Sequence, residues 1–328
     1  MTRRALVTGA TGFVGTALTA RLAEEGWAVR ALHRASSDIT LLKGLGAECV
    51  EGDLDGLELD RMARAADGCD AVFHVGAVIG WSLRDGPVME RVNVAGTRAV
   101  CRGALQAGVG RLVHTSSIAA IGPASGADDE VVEDRPDHEI GIGYLATKRD
   151  AEREVRAAVA DGLDAVIVNP SVIFGPGDRQ NSATYVHRVM SGRVPFLPPG
   201  GANGVGVDDV VDGHMRALER GRTGDRYLLC AENLLHAELF GRVARLAGMN
   251  GSVPRVLPAA VWRSLAPVLG VGERLGIARP PFTRDLARTA TWFMYGSHAK
   301  AAAELGYRPG PLDRVLESVV RRLQERPE

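Results

Sequence analysis

Lysine is almost missing from this chain of 328 residues: of its 39 basic residues only Lys43, Lys148 and Lys300 are lysines. Arginine is therefore the default cation, and a lysine inside a motif stands out. Neither charge sign is in excess, with 39 basic against 40 acidic residues and a formal net charge of −1, which excludes a generally basic nucleic-acid binder. No run of eighteen apolar residues occurs, so no segment reads as a membrane span. In the opening Met-Thr-Arg-Arg-Ala-Leu-Val-Thr-Gly only three apolar residues follow the two arginines before a Thr-Gly turn, too few for a secretory signal. Cysteine is scarce too. Cys49, Cys69, Cys101 and Cys230 stand singly, with no pair at metal-ligand or thioredoxin spacing, and all four read as buried thiols of an intracellular protein. The expectation is a cytoplasmic protein with a small-molecule substrate, no metal, and no nucleic-acid or membrane partner; a homodimer is compatible with this composition.

What is present is a regular alternation. Short apolar runs at Arg4–Val7, Ala28–Leu32, Ala47–Val50, Ala71–Val75, Leu112–Thr115 and Ala165–Val168 are separated by helical patterns such as Phe13–Glu25, Asn93–Gln106 and Tyr144–Ala160. Strands alternating with helices at this spacing are βαβ crossovers, and six of them predict an α/β fold with a doubly wound parallel sheet of Rossmann type. After Pro170 glycine and proline cluster, at Phe174–Asp178 and Pro195–Gly201, as turn-rich loops. A seventh apolar run, Arg226–Cys230, is placed to return to the sheet. The predicted organisation is a dinucleotide-binding domain from residues 1–169 and 206–231, with a smaller, discontinuous substrate-binding region from 170–205 and 232–328.

The strongest motif is Thr8-Gly9-Ala-Thr-Gly12-Phe13-Val14-Gly15, placed after a strand and opening a helix. Gly9 permits the tight turn, Gly12 lets a diphosphate approach the backbone, and Gly15 lets helix pack on strand. The amides of Phe13 and Val14 then face the phosphates at the helix N-terminus. Asp53 and Leu54 follow the third strand, where a carboxylate can accept from the adenine amino group; taken alone, an aspartate there is more often a turn residue. Tyr144 and Lys148 are four apart on a predicted helix and so share a face. A neighbouring ammonium favours phenolate, so Lys148 is expected to bring the Tyr144 phenol toward neutrality for proton transfer. Ser116 and Ser117 end the fifth strand, where sheet enzymes place their crevice; a serine there is also an ordinary helix cap. The acidic stretch Asp128–Asp134 reads as a solvated loop.

These motifs, with Phe73-His-Val-Gly76-Ala77, Asn93-Val-Ala-Gly-Thr97 and Asn169-Pro170-Ser-Val-Ile-Phe-Gly-Pro-Gly177, resemble the extended short-chain dehydrogenase/reductase family over nearly the whole chain. Phe282-Thr-Arg and Lys300 to Tyr307 resemble, more loosely, its dihydroflavonol-reductase-like and 3β-hydroxysteroid-dehydrogenase-like branches. The resemblance implies that Tyr144 is the acid/base, that Lys148 tunes it and binds the nicotinamide ribose, and that Ser117 orients the substrate oxygen, with Ser116 as its substitute. It also implies that Gly76 and Ala77 face the middle of the cofactor, Asp53 and Leu54 its adenine, and Pro170 its nicotinamide end. Asn169 stands where an arginine is commoner.

The activity this implies is an oxidoreductase passing hydride between a nicotinamide and a carbonyl or secondary alcohol carbon. The alternatives are a nucleotide-sugar epimerase or dehydratase with retained NAD, and a non-catalytic sensor of dinucleotide redox state. Substrate contacts are expected from Ile79–Leu83, Phe174–Tyr185 and the region after Gly200. NADP(H) is expected over NAD(H): the second strand ends at His33 and is followed by Arg34, Ser36 and Ser37 with no carboxylate until Asp38. An arginine there can fork onto a 2′-phosphate that a carboxylate would repel.

Overall fold

A computed structural model describes residues 2–135, 141–178, 182–249 and 253–325; residues 179–181 of the expected substrate loop Phe174–Tyr185 lie outside them. The large sheet contains β1 (Arg4–Thr8), β2 (Ala28–His33), β3 (Glu48–Glu51), β4 (Ala71–His74), β5 (Arg111–Thr115) and β6 (Ala165–Pro170), each within two residues of its expected bounds. After β7 (Val172–Phe174) and β8 (Gly201–Gly206), the chain returns to it at β9 (Arg226–Leu229). All seven strands run parallel in the order β3-β2-β1-β4-β5-β6-β9. Because the winding reverses between β1 and β4, their carboxyl ends diverge into a crevice.

Both faces are covered, as a parallel sheet requires. On one face Leu18 and Leu22 of the helix Phe13–Glu24 pack with Val210, Val211 and Met215 of the helix Val207–Arg220. Ala301, Leu305 and Tyr307 join this same cluster. On the other face Met62, Val100, Cys101, Ala104, Val155 and Ala158 pack with Leu6, Val72, Leu112 and Ile167 of the strands. A smaller sheet combines β7, β8, β10 (Glu232–Leu235) and β11 (Phe293–Met294). It packs beside a third apolar cluster from the helices Ser182–Met190, His236–Leu246 and Leu312–Glu325.

Three expectations change. The helix expected from Asn93 is preceded by wider π-type turns at Glu90–Ala95 before regular helix at Gly96–Gln106. Cys49 is only half-buried, being on the outermost strand, while Cys69, Cys101 and Cys230 are buried. The acidic stretch is not wholly solvated: Val131 and Glu133 are buried. The Glu133 carboxylate accepts the Leu228 amide at 2.7 Å, and burial raises its pKa. β9 is an edge strand with backbone donors to satisfy, which is why a side chain from this loop is drawn inward.

Candidate active site

The glycine motif is built by sterics. Gly9 has φ +65°, and a Cβ there would lie 2.5 Å from the Cα of Gly76. Gly15 is tighter, since its Cβ would meet the Gly9 carbonyl oxygen at 2.1 Å. Gly12 differs: it is exposed, and a Cβ would meet only the Gly9 carbonyl oxygen, at 3.2 Å. Gly9 and Gly15 are thus required by packing of the chain on itself, while Gly12 faces outward at the start of the helix Phe13–Glu24. The first amides of that helix, Phe13 and Val14, have no intrahelical acceptor. The Phe13 ring lies under the Phe174–Asp178 loop, against Gly175 and Gly177, so the glycines of that later loop serve the first one.

Around this loop stand the other residues singled out in the sequence. Leu54 lies against Gly76 and Gly96. The Gly76 amide donates to the Thr8 hydroxyl at 3.3 Å, and Ala77 is exposed at the end of β4. Asp53 is exposed, with one carboxylate oxygen accepting the Asp55 amide at 3.1 Å, so it is a turn residue whatever else it does. Arg34 is exposed immediately after β2 and has no ion pair among the described residues. Pro170 is the buried last residue of β6.

The candidate catalytic group comes together on the helix Gly143–Ala160 and the end of β5. The Ser117 hydroxyl stands on the Tyr144 side of the crevice and acts to lower the phenol's pKa; it also accepts the Ala119 amide at 3.1 Å and so caps a short helical turn. Ser116 points elsewhere: it is buried and donates to Glu152 at 2.6 Å. The strand alternation that puts one serine in the crevice puts the other behind it. Lys148 is buried and donates to the Thr115 carbonyl at 2.9 Å.

Burial, not the ammonium, sets the acid–base character. Desolvation pushes the Tyr144 phenol up to about 12, with the Ser117 hydroxyl opposing it. The expected approach to neutrality does not occur, because Val78, Trp81, Met89, Ile142, Trp292 and Met294 gather round the ring in an apolar cluster; the Trp81 and Tyr144 ring centroids are 5.5 Å apart. Burial also lowers Lys148 to about 8, against the pull of the Glu152 carboxylate.

Two residues matter that have no role in the sequence reading: Glu152, which stands in no motif, and Asn93, which stands in one without an assigned part. Glu152 is wholly buried one turn beyond Lys148, and it accepts from Ser116, from Asn169 at 2.6 Å, from Arg156 at 3.0 Å and from Arg226 at 3.2 Å. Its i+4 spacing from Lys148 was a signal, but a helical glutamate is ordinarily solvated. Asn93, also buried, exchanges hydrogen bonds with the Val78 backbone at 2.8 and 2.9 Å and reaches Thr147 at 3.2 Å. It pins the loop after β4 to the helix that carries Tyr144.

The profile of the NAD dependent epimerase/dehydratase family matches residues 5–230. The chain belongs to that family. Among relatives, a Synechocystis sp. protein named provisionally as a dihydroflavonol 4-reductase is 35% identical over 326 residues, covering 96% of this chain and 92% of that one. Sterol demethylase protein B of Methylococcus capsulatus is 33% identical, with 98% of each chain covered. The crystal structure of gox2253 superposes with a TM-score of 0.86 at 35% identity, over 98% of each chain. The extended short-chain dehydrogenase/reductase assignment and the Rossmann-like fold drawn from the sequence both stand.

The glycine geometry predicts two different lesions. Gly15→Ala forces a backbone displacement and is expected to lower the melting temperature sharply or prevent folding. Gly12→Ala is expected to keep the melting temperature and to weaken dinucleotide binding, measured by titration calorimetry, by at least about tenfold. Equal effects of the two substitutions on stability would contradict the distinction.

Proposed function

We propose that this protein is an NADP(H)-preferring ketone or aldehyde reductase that passes hydride between a nicotinamide and a carbonyl or secondary alcohol carbon of a small, largely apolar substrate. The observation that carries this reading is the Tyr144 phenol set beside Ser117 in an apolar cluster, with Lys148 one helical turn on. The fit of a dinucleotide rests on the outward-facing Gly12, the first amides of the helix Phe13–Glu24 and the exposed Arg34. Gly9, Gly12, Phe13, Val14 and Gly15 would hold the diphosphate; Gly76 and Ala77 would face the middle of the molecule. Asp53 and Leu54 would meet the adenine, Arg34 the 2′-phosphate, Lys148 the nicotinamide ribose and Pro170 the nicotinamide end. When bound, the nicotinamide supplies or takes the hydride.

The chain's own part is to hold the carbonyl and move one proton. Ser117 and Tyr144 would both donate to the substrate oxygen, fixing it and polarising the bond. A phenol pushed up to about 12 is neutral at physiological pH; it is poised to give its proton to an oxygen that develops alkoxide character, which is far more basic. This favours reduction as the direction of proton flow. Lys148 would place a positive charge beside the oxygens it binds. Apolar walls at Trp81, Trp292 and Met294 favour a carbonyl flanked by hydrocarbon over a nucleotide sugar. We assign residues 170–205 and 232–328 chiefly to the substrate side, with the Ala301–Tyr307 stretch packed into the main core.

Tyr144→Phe removes one hydroxyl and is expected to cut the rate of ketone reduction by about 10²–10⁴-fold, or about 3–5 kcal/mol of barrier, with dinucleotide affinity retained. Near-normal steady-state turnover would overturn the mechanism. Steady-state assays with both nucleotides test the preference: Arg34→Ala is expected to raise the KM for NADPH at least about tenfold while leaving NADH nearly unchanged. Equal or better efficiency of the unmodified enzyme with NADH would refute it. The third test is a pH titration. Lys148 keeps its charge below about pH 8 and loses it above, so dinucleotide affinity is expected to fall as pH rises through that value. Glu152→Gln removes the anion that raises the Lys148 pKa, and the fall should move to lower pH; an unshifted profile in a folded variant would remove Glu152 from this role.

A further inference from the structure

A helix on a protein surface normally buries its larger apolar side chains and shows its polar ones. The helix Ala259–Arg274 departs from this. The residues it buries are Ala266, Gly270 and Glu273, while Val261, Leu265, Val268 and Val271 are exposed. The exposed row continues beyond the helix with Leu275, Ile277 and Phe282, at 69%, 79% and 66% exposure, and precedes it with Val256. This is far more than the scattered apolar residues of an ordinary surface.

The charges interleaved with it have one sign. From Val253 to Phe282 the sequence holds four arginines, Arg255, Arg263, Arg274 and Arg279, and a single carboxylate, Glu273. All four arginines are exposed and have no ion pair among the described residues. The carboxylate is 2% exposed and is consumed internally, accepting the Leu83 amide at 3.2 Å and the Arg284 amide at 2.9 Å. On a chain of net charge −1, this face is a local positive apolar patch.

We propose that this face docks on the surface of a bilayer containing anionic phospholipid. Apolar side chains that enter the acyl boundary, ringed by arginines that reach the headgroups, are the chemistry such a surface recognises. A second copy of the chain fits less well, because a two-fold contact through this patch would set like-charged arginines against one another. Such docking is peripheral. Among the described residues no helix is long and apolar enough to cross a membrane, and what the proposal revises is the expectation of no membrane partner.

The face is coupled to the candidate active site. Glu273 ties the helix to Leu83, and the Arg84 guanidinium lies beside Gly276; the same short loop carries Trp81 against Tyr144. Ile79 and Leu83 on that loop are themselves exposed. Docking would bring the loop to the lipid surface, and, resting on the reductase reading, would let an apolar ketone pass from the bilayer to the phenol.

The test is co-sedimentation of the full chain with extruded vesicles of phosphatidylcholine alone or with about 30% phosphatidylglycerol. Binding is expected to the anionic vesicles and to fall as salt rises. The exposed substitutions Val268→Asp and Ile277→Asp together, and Arg263→Gln with Arg274→Gln and Arg279→Gln, are each expected to weaken it by at least about tenfold. Both variants should keep the wild-type circular dichroism and melting temperature, so that a loss of vesicle binding reports on the face and not on folding. Absence of binding to anionic vesicles, or binding that neither variant weakens, would overturn the proposal. So would a dimer, seen by light scattering without vesicles, that Val268→Asp with Ile277→Asp dissociates, because it would make the face a contact between copies. Tyr144→Phe separates the two readings: normal turnover in it defeats the reductase assignment, while its vesicle binding reports on docking alone.

Discussion

The buried carboxylate of Glu152 is the constraint on which the site's geometry depends. It sits on the helix Gly143–Ala160 and takes hydrogen bonds from Ser116 after β5, Asn169 of β6, Arg226 of β9 and Arg156 of its own helix. Such a cluster contributes little net stability, because desolvating the ions offsets their attraction, but removing one partner strands a charge at a cost of about 3–5 kcal/mol. What it provides is register. With the helix fixed at Glu152, Lys148 falls one turn back against the Thr115 carbonyl and Tyr144 two turns back against Ser117. Asn169 makes sense in the same frame. It is neutral, so it can bridge Glu152 and the Ser117 carbonyl at 2.9 Å while Arg156 and Arg226 supply the positive charge.

Much of this was legible in the residues, and the reason differs from feature to feature. The parallel strands were readable because residues buried on both faces form continuous apolar runs. The Tyr144–Lys148 pair was readable because an i,i+4 spacing fixes a shared face before any tertiary structure exists. The glycine motif was readable because Gly9 and Gly15 answer steric demands that no other residue meets, with Gly12 at fixed spacing between them. Glu152 and Glu133 were not, since nothing local distinguishes a glutamate that will be buried from one that will be solvated. Their partners lie on other strands: Arg226 is 74 positions from Glu152, and Leu228 is 95 from Glu133. The choice between Ser116 and Ser117 likewise needed the strand's orientation, not its sequence.

The phenol's character was misjudged for a related reason. Helical spacing places one positive neighbour beside the phenol and carries no information about solvent. Trp81 comes from the loop after β4, while Trp292 and Met294 come from the far end of the chain. Once they exclude water, the cost of a buried phenolate exceeds the help the Lys148 ammonium gives. The result suits a proton donor better than a base.

The same apolar walls bear on where the substrate comes from. A ketone that partitions well into a site lined by Trp81, Trp292 and Met294 also partitions into lipid, so its free concentration in water is low and capture from solution is slow. A reductase for such a molecule gains if its entrance lies where the substrate accumulates. The loop carrying Trp81 is fastened through Leu83 to the helix Ala259–Arg274, whose outer face bears Val268, Val271 and the arginines. The loop that walls the pocket is therefore fastened to the element that presents a lipid-compatible surface. The buried carboxylate of Glu273 fastens the two, and because it is the one carboxylate between Val253 and Phe282 that stretch carries no exposed negative charge.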